Sequence, residues 1–434
     1  MTARRGGSSP GLPSEASACA LIALGYAAAC ALVLALGFEH VSDDDYARVT
    51  IAQAFAHRPR LDPSGTSWLP FPFWALGSAL AILGRGLAVA RGASIALASL
   101  AAVLPYLALR RAGSDRPRAL AATAFAVLSP WSVWLGAATV PESFTASAVA
   151  AAAIGLAAPH VTGRARIGFA LALLAACLSR YEAWPVAAVL AVAVGLRARR
   201  ERSAGAGVAA ALLAAGPLAW MAWNLHAHGD ALHFFVRVSR FKRALGEGAT
   251  DPVTALLLYP RLLVTTRPDV VLACALAATR LDRALLARWR LPLACAAAQL
   301  GFLVYGNLRD GAPAHHAERA LLGVIFVLAA FAADVLVATR ARGPWLGAMV
   351  AAAWLATTAH ALGDVPGRSP SEDRAAQIAR GRALHAEGAT GLTVTPCAYE
   401  HFALIAAYGA PEEVIVEPSR NVAATPACPA VARR

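Results

Sequence analysis

Residues 16–38 read ASACALIALGYAAACALVLALGF, an uncharged apolar block, and residues 39–46 behind it read EHVSDDDY. At 1.5 Å per helical residue, a block of this length crosses the roughly 30 Å hydrocarbon core of a bilayer. Arg4 and Arg5 ahead of it give it the outline of a signal peptide. Its apolar region is too long for one and lacks a clean cleavage site, so it reads as an uncleaved first span. Similar blocks follow near 87–109, 119–135, 143–158, 167–179, 184–196, 205–223, 269–280, 291–305, 320–338 and 344–362. The expectation is an all-α polytopic membrane protein, a bundle of about 11 spans. Several blocks fall short of the ~20 residues an untilted span needs, so their ends must take in flanking Gly, Ser or Arg, or adjoin irregular structure.

Composition agrees. Of 434 residues, 58% are hydrophobic and only 15% charged, more apolar surface than a soluble chain hides. The formal charge of +13 does not indicate nucleic acid, because the arginines sit in short joints between apolar blocks. With residues 1–15 as a cytoplasmic tail, the inner joints hold Arg110, Arg111, Arg116 and Arg118, then Arg164 and Arg166, the runs 197–202 and 280–290, and Arg340 with Arg342. The opposite side receives Glu39, Asp43, Asp44, Asp45, Asp62, Glu142, Glu182, Asp230, Asp310 and Glu318. This positive-inside pattern decides the reading of 68–83, which is apolar but contains Pro70 and Pro72. Counting it as a span would turn every later joint outward, so it is an interfacial helix of a first external loop, 39–86. A second external loop, 224–268, carries a similar candidate at 253–265. The odd span count leaves the C-terminus outside.

Residues 16–362 thus form the transmembrane domain, and the composition changes after Gly363. A helix over 371–387, with Ser371 as its candidate cap, a strand over 392–395, a helix over 398–408 and a strand over 414–416 suggest a small external α/β domain, 363–422. The expected tail, 423–434, is disordered. Seven cysteines make no metal or disulfide framework, though Cys397 and Cys428 could pair in an oxidising compartment.

The chemistry gathers on the outer side. Ser42-Asp43-Asp44-Asp45-Tyr46 is either a solvated acidic loop or a source of a general base or divalent-metal ligand at an outward cleft. Adjacent helical residues point apart, so the three aspartates cannot serve one substrate atom. Glu142 behind Pro141 suits a helix start, where a carboxylate meets the positive end of the helix dipole. Arg180-Tyr181-Glu182-Ala183-Trp184 reads as an interfacial aromatic belt or, given charges in so short a connection, as a paired functional group. His315-His316-Ala317-Glu318-Arg319 lacks zinc-hydrolase spacing, and Arg319 suits a phosphate. Arg237, Arg240, Lys242 and Arg243 beside Phe234, Phe235 and Phe241 form a basic strip fit for an anionic headgroup, or simply a surface amphipathic helix. A nucleophile motif, a P-loop and a dinucleotide fingerprint are all absent.

The order and common sidedness of these motifs resemble the GT-C superfamily of integral membrane glycosyltransferases, which take sugar from a polyprenyl-phosphate carrier. Relatives include protein mannosyltransferases and lipid A aminoarabinose transferases. The resemblance runs from Leu36 to about Leu362 and rests on Asp43-Asp44-Asp45-Tyr46, Pro141-Glu142, the stretch 179–184 and His316-Ala317-Glu318-Arg319. It implies a GT-C-like bundle and transfer to a lipid, glycan or protein acceptor. Asp43 or Asp44 would activate the acceptor, as a base or through Mg2+ or Mn2+ if a metal is used. Arg180 and Arg319 would hold the donor phosphate, and Glu142, Tyr181, Glu182, His315 and His316 would orient donor or acceptor. Three consecutive aspartates, where the family commonly has a pair, leave the alignment open by one residue. The implied setting is the bacterial cytoplasmic (inner) membrane, with membrane lipids as the surroundings. A transporter or flippase of a lipid-linked saccharide is the competing expectation.

Overall fold

The computed structural model describes residues 14–244, 251–312, 316–340, 343, 345–369, 372–395, 399–417 and 430–433. His315, Ser371, Cys397 and Cys428 lie outside the described residues.

Helix α1 (Glu15–Ala35) starts at Ser14, whose hydroxyl accepts from the Ser17 amide. Leu21, Leu24 and Leu32 are exposed along it, a surface suited to lipid rather than water. Two short helices, α2 (Asp44–His57) and α3 (Phe71–Leu83), separate it from α4 (Leu87–Ala101) and α5 (Val103–Arg111). A helix does form within 68–83: α3 starts at Phe71, and Pro70 and Pro72 fall at its cap and first turn, where no helical N–H is lost.

The block near 119–135 is not one straight helix. It forms α6 (Arg116–Val127) and α7 (Pro130–Ala137), bent by 71°. Pro130 disfavours the helical conformation at the residue before it, and the Ser129 hydroxyl instead caps α7 through the Ser132 amide. Next come α8 (Glu142–Ala157), α9 (Gly163–Cys177), α10 (Trp184–Glu201), α11 (Ala204–His228), α12 (His233–Ala244) and α13 (Pro252–Thr266). Then α14 (Pro268–Ala278), α15 (Arg283–Leu308), α16 (Leu322–Ala338) and α17 (Trp345–Leu362) complete the bundle. The described residues contain seven helical stretches long and apolar enough to cross a membrane, eight if the bent α6–α7 pair is one span. Helices α8, α9 and α14, at 16, 15 and 11 residues, are shorter.

Helices α8 and α16 are buried almost throughout and form the axis of the bundle. Small residues let neighbours approach: a side chain at Gly155 of α8 would collide with the Phe169 ring of α9 at 2.5 Å. Polar groups gather at the two ends. At one, buried Asp334 of α16 accepts from the Ser114 hydroxyl (2.7 Å) and Trp289 Nε1 (3.1 Å) and pairs with Arg118 (3.0 Å) and Arg288 (3.6 Å). Glu15 joins Arg110 and Arg116 at 3.3 and 3.6 Å. The other end carries α2, α3 and the C-terminal unit.

That unit comprises α18 (Ala375–Ala386), β1 (Leu392–Thr395), α19 (His401–Tyr408), β2 (Val414–Val416) and β3 (Ala430–Arg433). The sheet order is β2-β1-β3, with β2 parallel and β3 antiparallel to β1. Residues 430–433 therefore do not belong to a disordered tail: β3 satisfies the edge of β1 that would otherwise present unpaired backbone groups. The unit shares its core with the loop helices, since Ala403 and Ala406 of α19 cluster with Tyr46, Val49 and Ala52 of α2. Gln53 ties three segments together by donating to the carbonyls of Arg85 (2.7 Å) and Ala406 (2.8 Å).

Candidate functional site

The three aspartates leave the start of α2 in three directions, as successive residues about 100° apart on a helix must. Asp43, the N-cap, is gripped by Arg374 of the C-terminal unit through Nε to Oδ1 (2.8 Å) and Nη2 to Oδ2 (3.0 Å). Asp44 turns the other way and accepts from Arg319 Nη2 at 3.1 Å. Asp45 turns inward, where Oδ2 accepts from the amides of Val41 (2.6 Å) and Ser42 (3.2 Å) and fixes the turn that opens α2. Burial raises the Asp45 pKa to about 7, against the opposing pull of those two amides. Thr139, between α7 and α8, donates to the Asp45 carbonyl at 2.7 Å and pins that loop to α2.

Around Asp44 the helix ends converge on one polar cluster. Glu142, the first residue of α8, is buried and lies 2.7 Å from Arg180 Nη1 and 3.9 Å from Arg319 Nε. Arg180 also donates to both oxygens of Glu182, at 3.2 and 2.5 Å, so two carboxylates already neutralise it. Arg319 is held more loosely: Nη2 reaches Asp44 and Nη1 the Ser42 hydroxyl at 3.5 Å, while its buried Nε, within 3.9 Å of Glu142, has no hydrogen-bond partner among the described residues.

A third guanidinium completes the group. Arg48 lies one helical turn beyond Asp44 and is 5% exposed, its guanidinium 4.5 Å from the centre of the Trp68 ring. Burial lowers its pKa, while Glu142 and Asp44 act in the opposite sense. Neither Nε nor Nη1 has a hydrogen-bond partner among the described residues. A buried guanidinium left short of acceptors is the arrangement that an arriving anion completes. Arg48 escaped the sequence reading, although its position four residues after Asp44 places both on one face of α2.

Two cavities adjoin the cluster. The smaller is lined by Glu142, Thr145, Arg180, Gln299, Arg319 and Gly323 among others, so charged and amide groups border it beside apolar ones. The larger is mostly apolar and is walled by Phe71 and Leu76 of α3, Leu97 of α4, Val140 just ahead of α8 and Phe144 of α8. It reaches Pro141 and Ser179, the chain neighbours of Glu142 and Arg180.

Of the residues singled out from sequence, Asp44, Glu142, Arg180, Glu182 and Arg319 come together. Asp43 belongs instead to the Arg374 contact. Tyr181 faces away: its hydroxyl donates to the Ser67 carbonyl (2.7 Å), and its ring stacks on Phe234 at 4.5 Å. His316, in a left-handed conformation (φ 49°), sets its ring 5.9 Å from that of Trp131. Asp43 and Asp44 do not fit a shared divalent cation, since each is turned to a different arginine. Among the described residues, no three His, Cys, Asp or Glu side chains form a group that could hold a metal ion. Lys242 also leaves the basic strip: it is buried and donates to Asn307 Oδ1 and the Ala312 carbonyl, both at 3.2 Å. Neither a family model nor a curated protein matches the chain.

Proposed function

We propose that the protein is a membrane glycosyltransferase of about eleven spans, taking sugar from a polyprenyl-phosphate donor to a lipid, glycan or protein acceptor at the outer face of the cytoplasmic membrane. One observation carries this reading: a half-buried carboxylate, Asp44, stands beside two incompletely paired arginines, Arg48 and Arg319, next to an apolar recess between helices. That combination suits a substrate with a phosphate head and an isoprenoid chain. Base and phosphate-binding groups stand together, as displacement at an anomeric carbon requires.

In the proposed step, the acceptor hydroxyl oxygen attacks the anomeric carbon and the bond from that carbon to the phosphate oxygen breaks. Asp44 takes the hydroxyl proton. The polyprenyl phosphate departs with the electron pair and its added charge is met by Arg48 and Arg319. Arg180, held by Glu142 and Glu182, shapes the cluster rather than binding the phosphate. Thr145 and Gln299, whose buried side-chain oxygens lack partners among the described residues, offer further hydrogen bonds to a polar substrate at the base of the small cavity.

The test is reconstitution into liposomes with a panel of radiolabelled polyprenyl-phosphate sugars and candidate acceptors. Label should move to the acceptor, with release of one polyprenyl phosphate per sugar. Donor crossing the bilayer without transfer would replace the enzyme reading with that of a flippase.

A further inference from the structure

Helix α12 lies across the ends of the long helices rather than among them. Phe234 packs on Tyr181 and Trp184 at the start of α10, at ring distances of 4.5 and 5.3 Å. Ser239 donates to the carbonyl of Arg309, which follows the end of α15, at 3.2 Å, while α11 ends five residues ahead of α12. A helix laid over the ends of apolar helices sits at the depth of the lipid headgroups.

Its two faces differ sharply. Phe234, Ser239 and Lys242 are buried against the bundle. Arg237, Arg240, Phe241 and Arg243 are exposed, with Phe241 at 52%. Helix α13 is tied to α12 through Asn307, which accepts from Lys242 and donates to the Ala255 carbonyl, and it carries exposed Val253, Leu256, Leu257 and Val264. Nearby acids are used in turns: Asp62 accepts from the Gly65 amide, Asp230 from Leu232 and Asp251 from Thr254. Arg237 Nη1 donates to the Gly65 carbonyl and Arg243 Nε to the Ser239 carbonyl, at 3.3 and 3.2 Å, but among the described residues no carboxylate forms an ion pair with Arg237, Arg240 or Arg243. The positive-inside pattern would favour few basic residues at this end of the bundle, so a row of exposed arginines here needs a partner of its own.

We propose that α12 with α13 is a docking surface for anionic phospholipid. The headgroups would lie against Arg237, Arg240 and Arg243, and the acyl chains against Phe241 and the aliphatic face of α13. Opposite charge beside exposed apolar area specifies this occupant, since a soluble anion has no use for the second half of the surface. The inference does not depend on sugar transfer.

The full chain is reconstituted in phosphatidylcholine bilayers containing spin-labelled phosphatidylglycerol or spin-labelled phosphatidylcholine, and the protein-associated fraction of each label is measured by electron paramagnetic resonance. One arginine near a charged surface gives roughly a fivefold preference, so the wild type should favour phosphatidylglycerol by about five- to tenfold. The preference should fall by at least twofold for R237Q/R240Q/R243Q, to the level set by the basic joints at the other end of the bundle, and close to unity for the wild type in 0.5 M salt. The variant's thermal midpoint verifies its fold, and the fluorescence that Phe241→Trp adds to that of the ten native tryptophans should be quenched by brominated acyl chains. An unchanged preference in the triple variant, an unquenched tryptophan, or displacement of the label by millimolar inorganic phosphate would each overturn the proposal.

Discussion

Asp43→Asn and Asp44→Asn differ by one position and should have opposite effects. Asp44 is the proposed proton acceptor, and its side chain is 38% exposed where it pairs with Arg319. An ion pair so open to solvent contributes at most about 1 kcal/mol to stability. Loss of a general base costs about 10²- to 10⁴-fold in rate, or roughly 3–5 kcal/mol of transition-state stabilisation. Asp44→Asn should therefore be folded and nearly inert. Asp43 accepts two short charge-assisted bonds from Arg374, whose side chain is only 7% exposed. Its amide analogue loses the charge and one acceptor oxygen, at a cost of about 1.5–3 kcal/mol of stability. Transfer should fall by no more than a few fold. The assay measures release of polyprenyl phosphate in proteoliposomes, with thermal unfolding followed on the same preparation. If folded Asp43→Asn is as inert as Asp44→Asn, or if Asp44→Asn retains full transfer, the assignment of the base fails.

Arg48→Gln should reduce donor binding and transfer by at least tenfold, whereas Arg48→Lys, which keeps the charge but loses the planar fork, should recover only part. Equal activity of all three forms, measured with polyprenyl-phosphate binding alongside turnover, would remove Arg48 from the phosphate site. Asp45 has a raised pKa in the folded chain, so its ionised form opposes folding. That cost is absent below about pH 4, grows as pH rises and is complete above about pH 7, on the order of 4 kcal/mol. Asp45→Asn should flatten the fall in thermal midpoint between pH 5 and 8, and an unchanged slope would mean another group titrates. A side chain at Gly381 of α18 would meet the Leu404 carbonyl of α19. Gly381→Ala should therefore cost about 1–3 kcal/mol through overpacking and hasten proteolysis of the C-terminal unit. Wild-type resistance to protease would contradict that close approach.

The sequence made the helical bundle legible because a membrane helix declares itself locally, through apolar length and basic joints. The α6–α7 bend was also written locally, in Ser129-Pro130, but composition alone did not distinguish a bent block from a straight one. The site was legible in part. Asp44, Glu142, Arg180 and Arg319 stand out as charges at the edges of apolar blocks. The choice between Asp43 and Asp44 was not, because it depends on which partner meets each side of α2, and Arg374 lies 331 residues away from Asp43. Arg48 was hidden for another reason. It belongs to a short, weakly apolar helix, where an arginine ordinarily lies in solvent, and only Trp68, Phe73 and the enclosing helices make it a buried charge.

The grip of Arg374 on Asp43 also has a meaning in time. A ribosome adding about 5–20 residues per second needs on the order of tens of seconds to make the chain between them. Throughout that interval the first loop is already made while its fastening is not. Synthesis of the last unit therefore completes the carboxylate-bearing end of the molecule. A chain arrested before α18 would carry every helix of the bundle and still leave α2 without its clasp.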